Sequence, residues 1–183
     1  MRPVSKELGE ICYPFIYEDS PVCDFEITAD ELCSRIGLVL SMELDDFSRD
    51  ILTRMQPNVY HVNGSIRGKL AITEAEVDEL KADYDAIKAR IDGGFKGFVL
   101  PGGHPTSSQL HLCRCQAKKV FVHWLPLNIQ VRNNPLRFCS AIQTCSRMCS
   151  TVWRLTSTTL IKSKKLSLCL AATQCQVNRQ NIT

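Results

Sequence analysis

The chain has 183 residues, 44% hydrophobic and 22% charged, with a net charge of +3. That length and balance suit one soluble globular domain with a real core. They leave no apolar run of membrane-spanning length; residues 1–13 carry Glu7 and Glu10 where a secretory signal or transit peptide could not, and ten cysteines without such a signal read as reduced thiols of a cytoplasmic protein.

In chain order, Pro3, Pro14 and Pro21 punctuate a weakly patterned start, expected to be an irregular arm over residues 1–25. Thr28-Ala29-Asp30-Glu31 has the form of a capping box, so the first helix is expected to begin there, with Leu32, Ile36, Val39 and Leu40 as its buried stripe. Asp46 or Asp45 can cap a second helix with Phe47, Ile51, Leu52 and Met55 inward. Pro57 is expected to interrupt it or to begin a new segment. Val59–Val62 reads as a kinked continuation or a short strand, and residues 63–71 as a loop opened by Asn63-Gly64. Thr73-Glu74-Ala75-Glu76 is a second capping box, followed by Val77, Leu80, Tyr84, Ile87 and Ile91 at the 4-3 spacing of a bundle seam and ended by Gly93-Gly94.

The next stretch, residues 98–119, carries the chemistry. Pro101, Gly102 and Gly103 stop what precedes them, and Thr106 or Ser107 can cap a helix after Pro105. On that helix His111, Arg114 and Lys118 share one face, and Leu110, Cys113, Ala117 and Val120 share the apolar face beside it. A basic stripe near a glycine-bearing turn suits a polyphosphate; the plainer reading is a solvated basic face. Four helices with short links and a 4-3 seam predict an all-α, up-and-down helical bundle.

Phe98-Val99-Leu100-Pro101-Gly102-Gly103, followed by Leu110-His111-Leu112-Cys113-Arg114 and by Lys118-Lys119, resembles the loop and helix of the corrinoid (cobalamin) adenosyltransferases of the propanediol-utilisation type. Asp30-Glu31-Leu32-Cys33-Ser34-Arg35-Ile36-Gly37 is similar to the Asp-Glu-Leu-x-Ser-x-Ile-Gly helix of the same family. The two motifs bracket residues 26–119, and the bundle is accordingly expected over residues 26–120. The resemblance implies a five-helix bundle, assembled as a homotrimer with active sites between subunits.

Beyond residue 120 the resemblance fades. Val120-Phe121-Val122 stands where the family has Ala-Glu-Arg, the family's last-helix Asn-Arg-Leu-Ser-Asp run is missing, and so is its N-terminal Thr-Arg-x-Gly-Asp-x-Gly-x-Thr phosphate loop. Composition changes too. All 19 acidic residues lie at or before Asp92, while residues 93–183 hold 12 basic residues and no acid, where ordinary usage gives about eleven acids. Residues 121–183 form a divergent basic tail rich in Cys, Ser and Thr, expected to be irregular. Cys139, Cys145 and Cys149 lack a Cys-x-x-Cys spacing and His123 is isolated, so no metal site is expected. A shift of coding frame near Lys119–Val120 accounts for both changes: residues 144–154, back-translated and read two nucleotides on, permit Leu-Leu-Ser-Asp-Val-Leu-Tyr-Gly-Leu-Ala, close to the family's final helix. The gene's nucleotide sequence tests that reading.

What the resemblance implies chemically is transfer of the 5′-deoxyadenosyl group of ATP, with Mg2+, to the cobalt of a reduced corrinoid. That cobalt is itself the nucleophile, so the protein binds and orients ATP, neutralises the leaving triphosphate and excludes water. Arg114 falls on the family's first motif arginine and Asp30 on its helix-one aspartate, and the two are expected to pair, across a subunit boundary in the trimer. Lys118 and Lys119 fall on an arginine pair; they supply charge to phosphate without the bidentate fork. Phe121 falls on the family's motif glutamate. The alternative class is a non-catalytic corrinoid- or nucleotide-binding relative. Nucleic acid is not an expected partner, because only Lys162-Ser163-Lys164-Lys165 clusters in the basic tail.

Overall fold

Apolar residues at positions 25, 29, 32, 36 and 39 recur at alternating spacings of four and three, which places them on one stripe of a helix. In the computed structural model of the chain, which describes residues 20–67, 71–91 and 102–127, that stripe lies on α1, Pro21–Leu40, and every member is at most 2% exposed. α1 therefore begins earlier than its capping box predicts. Ser20 is the N-cap, its Oγ accepting from the Val22 amide at 3.2 Å, and Pro21 occupies the first helical position, where a missing N–H is harmless. Thr28 sits inside the helix, its hydroxyl donating back to the Asp24 carbonyl. Residues 21–25 thus leave the expected arm and join the bundle, because Phe25 extends the buried stripe and Cys23 is buried as well.

The Arg49 guanidinium closes the far end of α1, donating to the carbonyls of Leu40 at 2.6 Å and Met42 at 3.1 Å. α2, Asp46–Gly64, is capped as expected by Asp45, which accepts from the Ser48 amide at 3.0 Å. Ile51, Leu52 and Met55 point inward and Phe47 packs at the core's edge. Pro57 does not interrupt α2, and Val59–Val62 is helical rather than a strand. Pro57 faces solvent, and the turn before it is held from α1: Gln56 Nε2 donates to the Cys33 carbonyl at 3.1 Å, and the Cys33 thiol to the Gln56 carbonyl at 3.7 Å. Gly37 allows this approach, since a Cβ there would lie 2.8 Å from Gln56 Nε2. The expected loop after residue 63 is shortened by a 3-10 turn, Ser65–Arg67. The buried Ser65 hydroxyl accepts from the amides of Ala71 and Ile72 and donates to the His61 carbonyl.

α3, Glu74–Arg90, opens on the predicted capping box, with Thr73 Oγ1 accepting from the Glu76 amide and Glu76 Oε2 from the Thr73 amide. Val77, Leu80 and Ile87 are buried; Tyr84 and Ile91 pack beside them. α3 ties to α2 along its whole length. Arg90 lies 3.5 Å over the Phe47 ring, His61 Nδ1 meets Glu76 at 2.6 Å, and Arg54 meets Asp83 through two nitrogens at 3.3 and 2.6 Å. Asp83 is almost buried while Arg54 is two-fifths exposed. Asp83→Ala should therefore destabilise by about 1–2 kcal/mol, short of the roughly 3–5 kcal/mol of a fully buried pair. A double-mutant cycle with Arg54→Ala in urea checks this, and additive losses would show that the pair contributes nothing.

α4, Pro105–Trp124, has His104 as its N-cap and Pro105 in its first turn, so Thr106 and Ser107 lie within the helix instead of capping it. Thr106 serves elsewhere. Its hydroxyl donates to the Glu43 carbonyl at 3.0 Å, fixing the start of α4 beside the end of α1. α4 runs antiparallel to α1 and continues through residues 121–124, where the divergent tail was expected to open, into a 3-10 turn, Leu125–Leu127. The described residues thus form four helices in up-and-down order with no strand among them, an all-α bundle. Its core lies where α1 meets α2 and α4, with α3 covering α2. The expected fifth helix and the cysteines at 139, 145 and 149 fall outside the described residues. Among those residues, no helix is long and apolar enough to cross a membrane.

Candidate functional site

Helical spacing turns Leu110, Cys113, Ala117 and Val120 of α4 inward, and all four are buried. Burial alone pushes the Cys113 thiol up to about 12, the nearby Arg35 charge opposing it only in part, so Cys113 is an inert core residue. The basic stripe follows along the adjacent edge as its spacing predicts, with graded exposure. His111 is 6% exposed, Arg114 is half-buried and Lys118 is exposed. Arg114 Nε is buried and meets no acceptor among the described residues, and the guanidinium reaches only the Cys115 sulfur at 3.7 Å. A cation so placed has donors to spare for an incoming anion.

His111 lies one turn before Arg114. Burial, and then the Arg114 charge, holds its imidazole below the usual histidine range. A histidine that folds neutral is destabilising once the unfolded chain begins to take up the proton. Stability should therefore fall as the pH drops below about 6.5, and rise on the way back up. Urea midpoints between pH 7.5 and 5 check this; a His111→Gln variant whose profile is as steep as that of the parent would assign the effect to another group.

The remaining predicted residues are placed but not gathered. Asp30 is exposed on α1, one turn before Cys33, and forms no hydrogen bond or ion pair with the described residues. Within one chain it does not meet Arg114. Lys118 continues the His111–Arg114 edge, whereas Lys119, one residue and 100° further round, lies toward α1, where its charge helps to hold the Glu31 carboxyl low. The larger cause of that lowering is the hydrogen bond from Arg35, one turn along α1.

One residue on this interface, Gln116, is not among those the sequence singles out. Gln116 is 3% exposed, and its Nε2 donates to the Thr28 carbonyl at 3.1 Å and to Glu31 Oε2 at 2.7 Å, bridging α4 to α1. Glu31 reads in sequence as the end of a capping box, but serves instead as this acceptor. The available signals are an amide beside the apolar stripe of α4 and the i, i+4 spacing of Glu31 and Arg35.

At the head of α4, Gly102 and Gly103 have φ of 150° and 89°, angles that residues with a Cβ rarely adopt. His104 makes no side-chain cap bond, so the first amides of α4 keep the positive end of the helix dipole. No group of three or more His, Cys, Asp or Glu side chains that could hold a metal ion occurs among the described residues. A shallow cavity of about 300 Å³ between α1 and α2, lined by Cys33, Gln56, Pro57, Tyr60 and His61, includes none of the predicted site residues.

Two comparisons bear on this arrangement. A protein described as a cobalamin adenosyltransferase in Cupriavidus metallidurans is 32% identical over 96 residues, which are 49% of this chain and 50% of that protein. The chain thus spans about half the length of the curated relative it matches. The family profile described as cobalamin adenosyltransferase matches residues 15–137, and that span takes in α1 to α4 with Asp30, Arg114, Lys118 and Lys119. With two thirds of its length matched and an all-α bundle carrying both motifs, the chain belongs to the cobalamin adenosyltransferase family.

Proposed function

We propose that the protein transfers the 5′-deoxyadenosyl group of ATP to the cobalt of a reduced corrinoid, as an enzyme of the propanediol-utilisation type acting in the cytoplasm. The observation that carries the reading is the family match across residues 15–137, which includes both residues assigned to the chemistry. Arg114 binds the departing triphosphate, for which it has a half-buried guanidinium with unused donors. Lys118, on the same edge, adds charge to the phosphates; Lys119, which lies toward α1, adds only to the positive field of the helix. Mg2+ enters with the nucleotide, held by phosphate oxygens and water, a mode that needs no dedicated cluster of protein ligands.

Asp30 and Arg114 do not meet within one chain, and both are accessible at the surface of the bundle. A homotrimer resolves this by placing Asp30 of one protomer against the partner's Arg114, orienting the guanidinium at a shared site. A second reading has one specific observation in its favour. At the position of the family's motif glutamate, Phe121 stacks on Trp124, ring centroids 5.9 Å apart, and offers no carboxylate. That reading is a relative that binds corrinoid or nucleotide without turnover.

The test is formation of adenosylcobalamin from ATP and chemically reduced cobalamin by the folded full-length chain. One adenosylcobalamin formed per ATP consumed supports the transferase. Saturable binding of ATP or cobalamin without product supports the binding relative, and neither binding nor product refutes both.

A further inference from the structure

We infer that Gln116 is a positioning residue, the clasp that sets how the Arg114 turn of α4 is presented relative to the Asp30 turn of α1; its bearing on turnover rests on the function proposed above. Gln116 Nε2 holds two acceptors on α1, the Thr28 carbonyl and the Glu31 carboxylate, and Asp30 lies between them in the chain. The bond crosses 88 and 85 residues of sequence and is buried on the Thr28 side. On α4, Gln116 comes two residues after Arg114. At 100° per residue the two side chains leave the helix about 200° apart, close to opposite sides. Anchoring Gln116 to α1 therefore aims Arg114 away from α1. The same clasp fixes the rotation of α1 about Thr28 and Glu31, and so the outward direction of Asp30.

The apolar contacts around the clasp set no single direction. Leu110, Cys113, Ala117 and Val120 form a buried stripe beside it, and hydrophobic attraction is non-directional. A charge-assisted bond from a buried amide has a fixed length and direction. Glu31 is itself steadied by Arg35 one turn along α1. Gln116 needs no charge of its own for this role, and its side-chain bonds go to Thr28 and Glu31 rather than to a predicted site residue, so its influence on Arg114 and Asp30 passes through the backbone of the two helices.

The test compares full-length protein with its Gln116→Leu variant, which keeps volume and should fold. Thr28 O retains its bond from within α1 and Glu31 retains Arg35 and solvent. Amide hydrogen exchange should rise about fivefold or more in residues 26–34 and 112–118, with residues 46–64 and 74–90 unchanged. In the same proteins, kcat for adenosylcobalamin formation should fall by on the order of tenfold and KM for ATP should rise, with KM for cobalamin unchanged. Gln116→Glu, which sets a carboxylate against Glu31, should show the same losses at pH 8 and recover toward the parent near pH 5.5 as the pair takes up a proton. Exchange like the parent's at both turns overturns the inference. So does a rise spread evenly over all four helices, which is the mark of a merely structural residue. If the parent chain forms no adenosylcobalamin, the proposed function fails while the exchange comparison still decides the clasp.

Discussion

Arg114→Ala is expected to lower adenosylcobalamin formation by on the order of 10²–10³-fold, with helix content and urea midpoint unchanged. The two halves of that expectation have separate grounds. Arg114 makes one long hydrogen bond, to Cys115, among the described residues and is not a member of the core cluster, so its loss breaks no bond that holds α1, α2 and α4 together. Its guanidinium is half-buried, where a charge acts on a phosphate through less water than at an open surface. Arg114→Lys separates charge from geometry: it should retain part of the rate, because an ammonium neutralises phosphate but cannot grip two oxygens in a plane. A further sign of the same charge is its pressure on His111. With Arg114 removed, the His111 imidazole should titrate higher than in the parent, though burial still holds it down. A folded Arg114→Ala variant turning over at the parent's rate would remove Arg114 from the site.

The two capping boxes show what is legible in the sequence and what is not. Thr73 with Glu76 and Thr28 with Glu31 match the same motif, and only the first is realised. A cap is worth about 1 kcal/mol, whereas burying a residue the size of phenylalanine is worth up to about 3 kcal/mol. Upstream of Thr28 lies Phe25, in register with the α1 stripe and part of the core, so packing draws the helix back to Ser20. The same balance carries α2 through Pro57. Losing one helix bond there costs about 3 kcal/mol, and the buried Val59 and Val62 beyond it, which helical spacing turns inward, offset that cost. Local rules read the seam of α3 and the face of α4 correctly because those depend on spacing alone, while Val59–Val62 stays open between helix and strand. They miss boundaries that depend on partners distant in sequence. At the site, Arg114 is legible from its loop and helix motif. Gln116 is not, because its acceptors lie 88 and 85 residues away and no local pattern marks them.

Phe25→Ala should destabilise the bundle by about 3–5 kcal/mol, a large share of the roughly 5–15 kcal/mol that holds a typical domain together. Phe25 is fully buried in the core cluster, and it lies in a part of the chain whose first expectation was an irregular arm. Its loss has two components, the transfer of the ring to solvent and the cavity left where it stood. The site cannot collapse freely. The neighbouring Glu26 is held by Arg67 through two bonds of 2.7 and 2.8 Å, and the turn Leu125–Leu127 packs against the same helix, so the surrounding backbone is pinned from the turns that follow α2 and α4. Ile27 supplies the control. It is only two residues away but 49% exposed, and Ile27→Ala should change stability by no more than about 0.5 kcal/mol. Urea midpoints of the two variants distinguish an α1 that starts at Pro21 from one that starts at Thr28. In the second case both residues sit on a loose arm and both substitutions are nearly silent. A Phe25→Ala midpoint within error of that of Ile27→Ala would mean that the first turns of α1 are not part of the cooperative core.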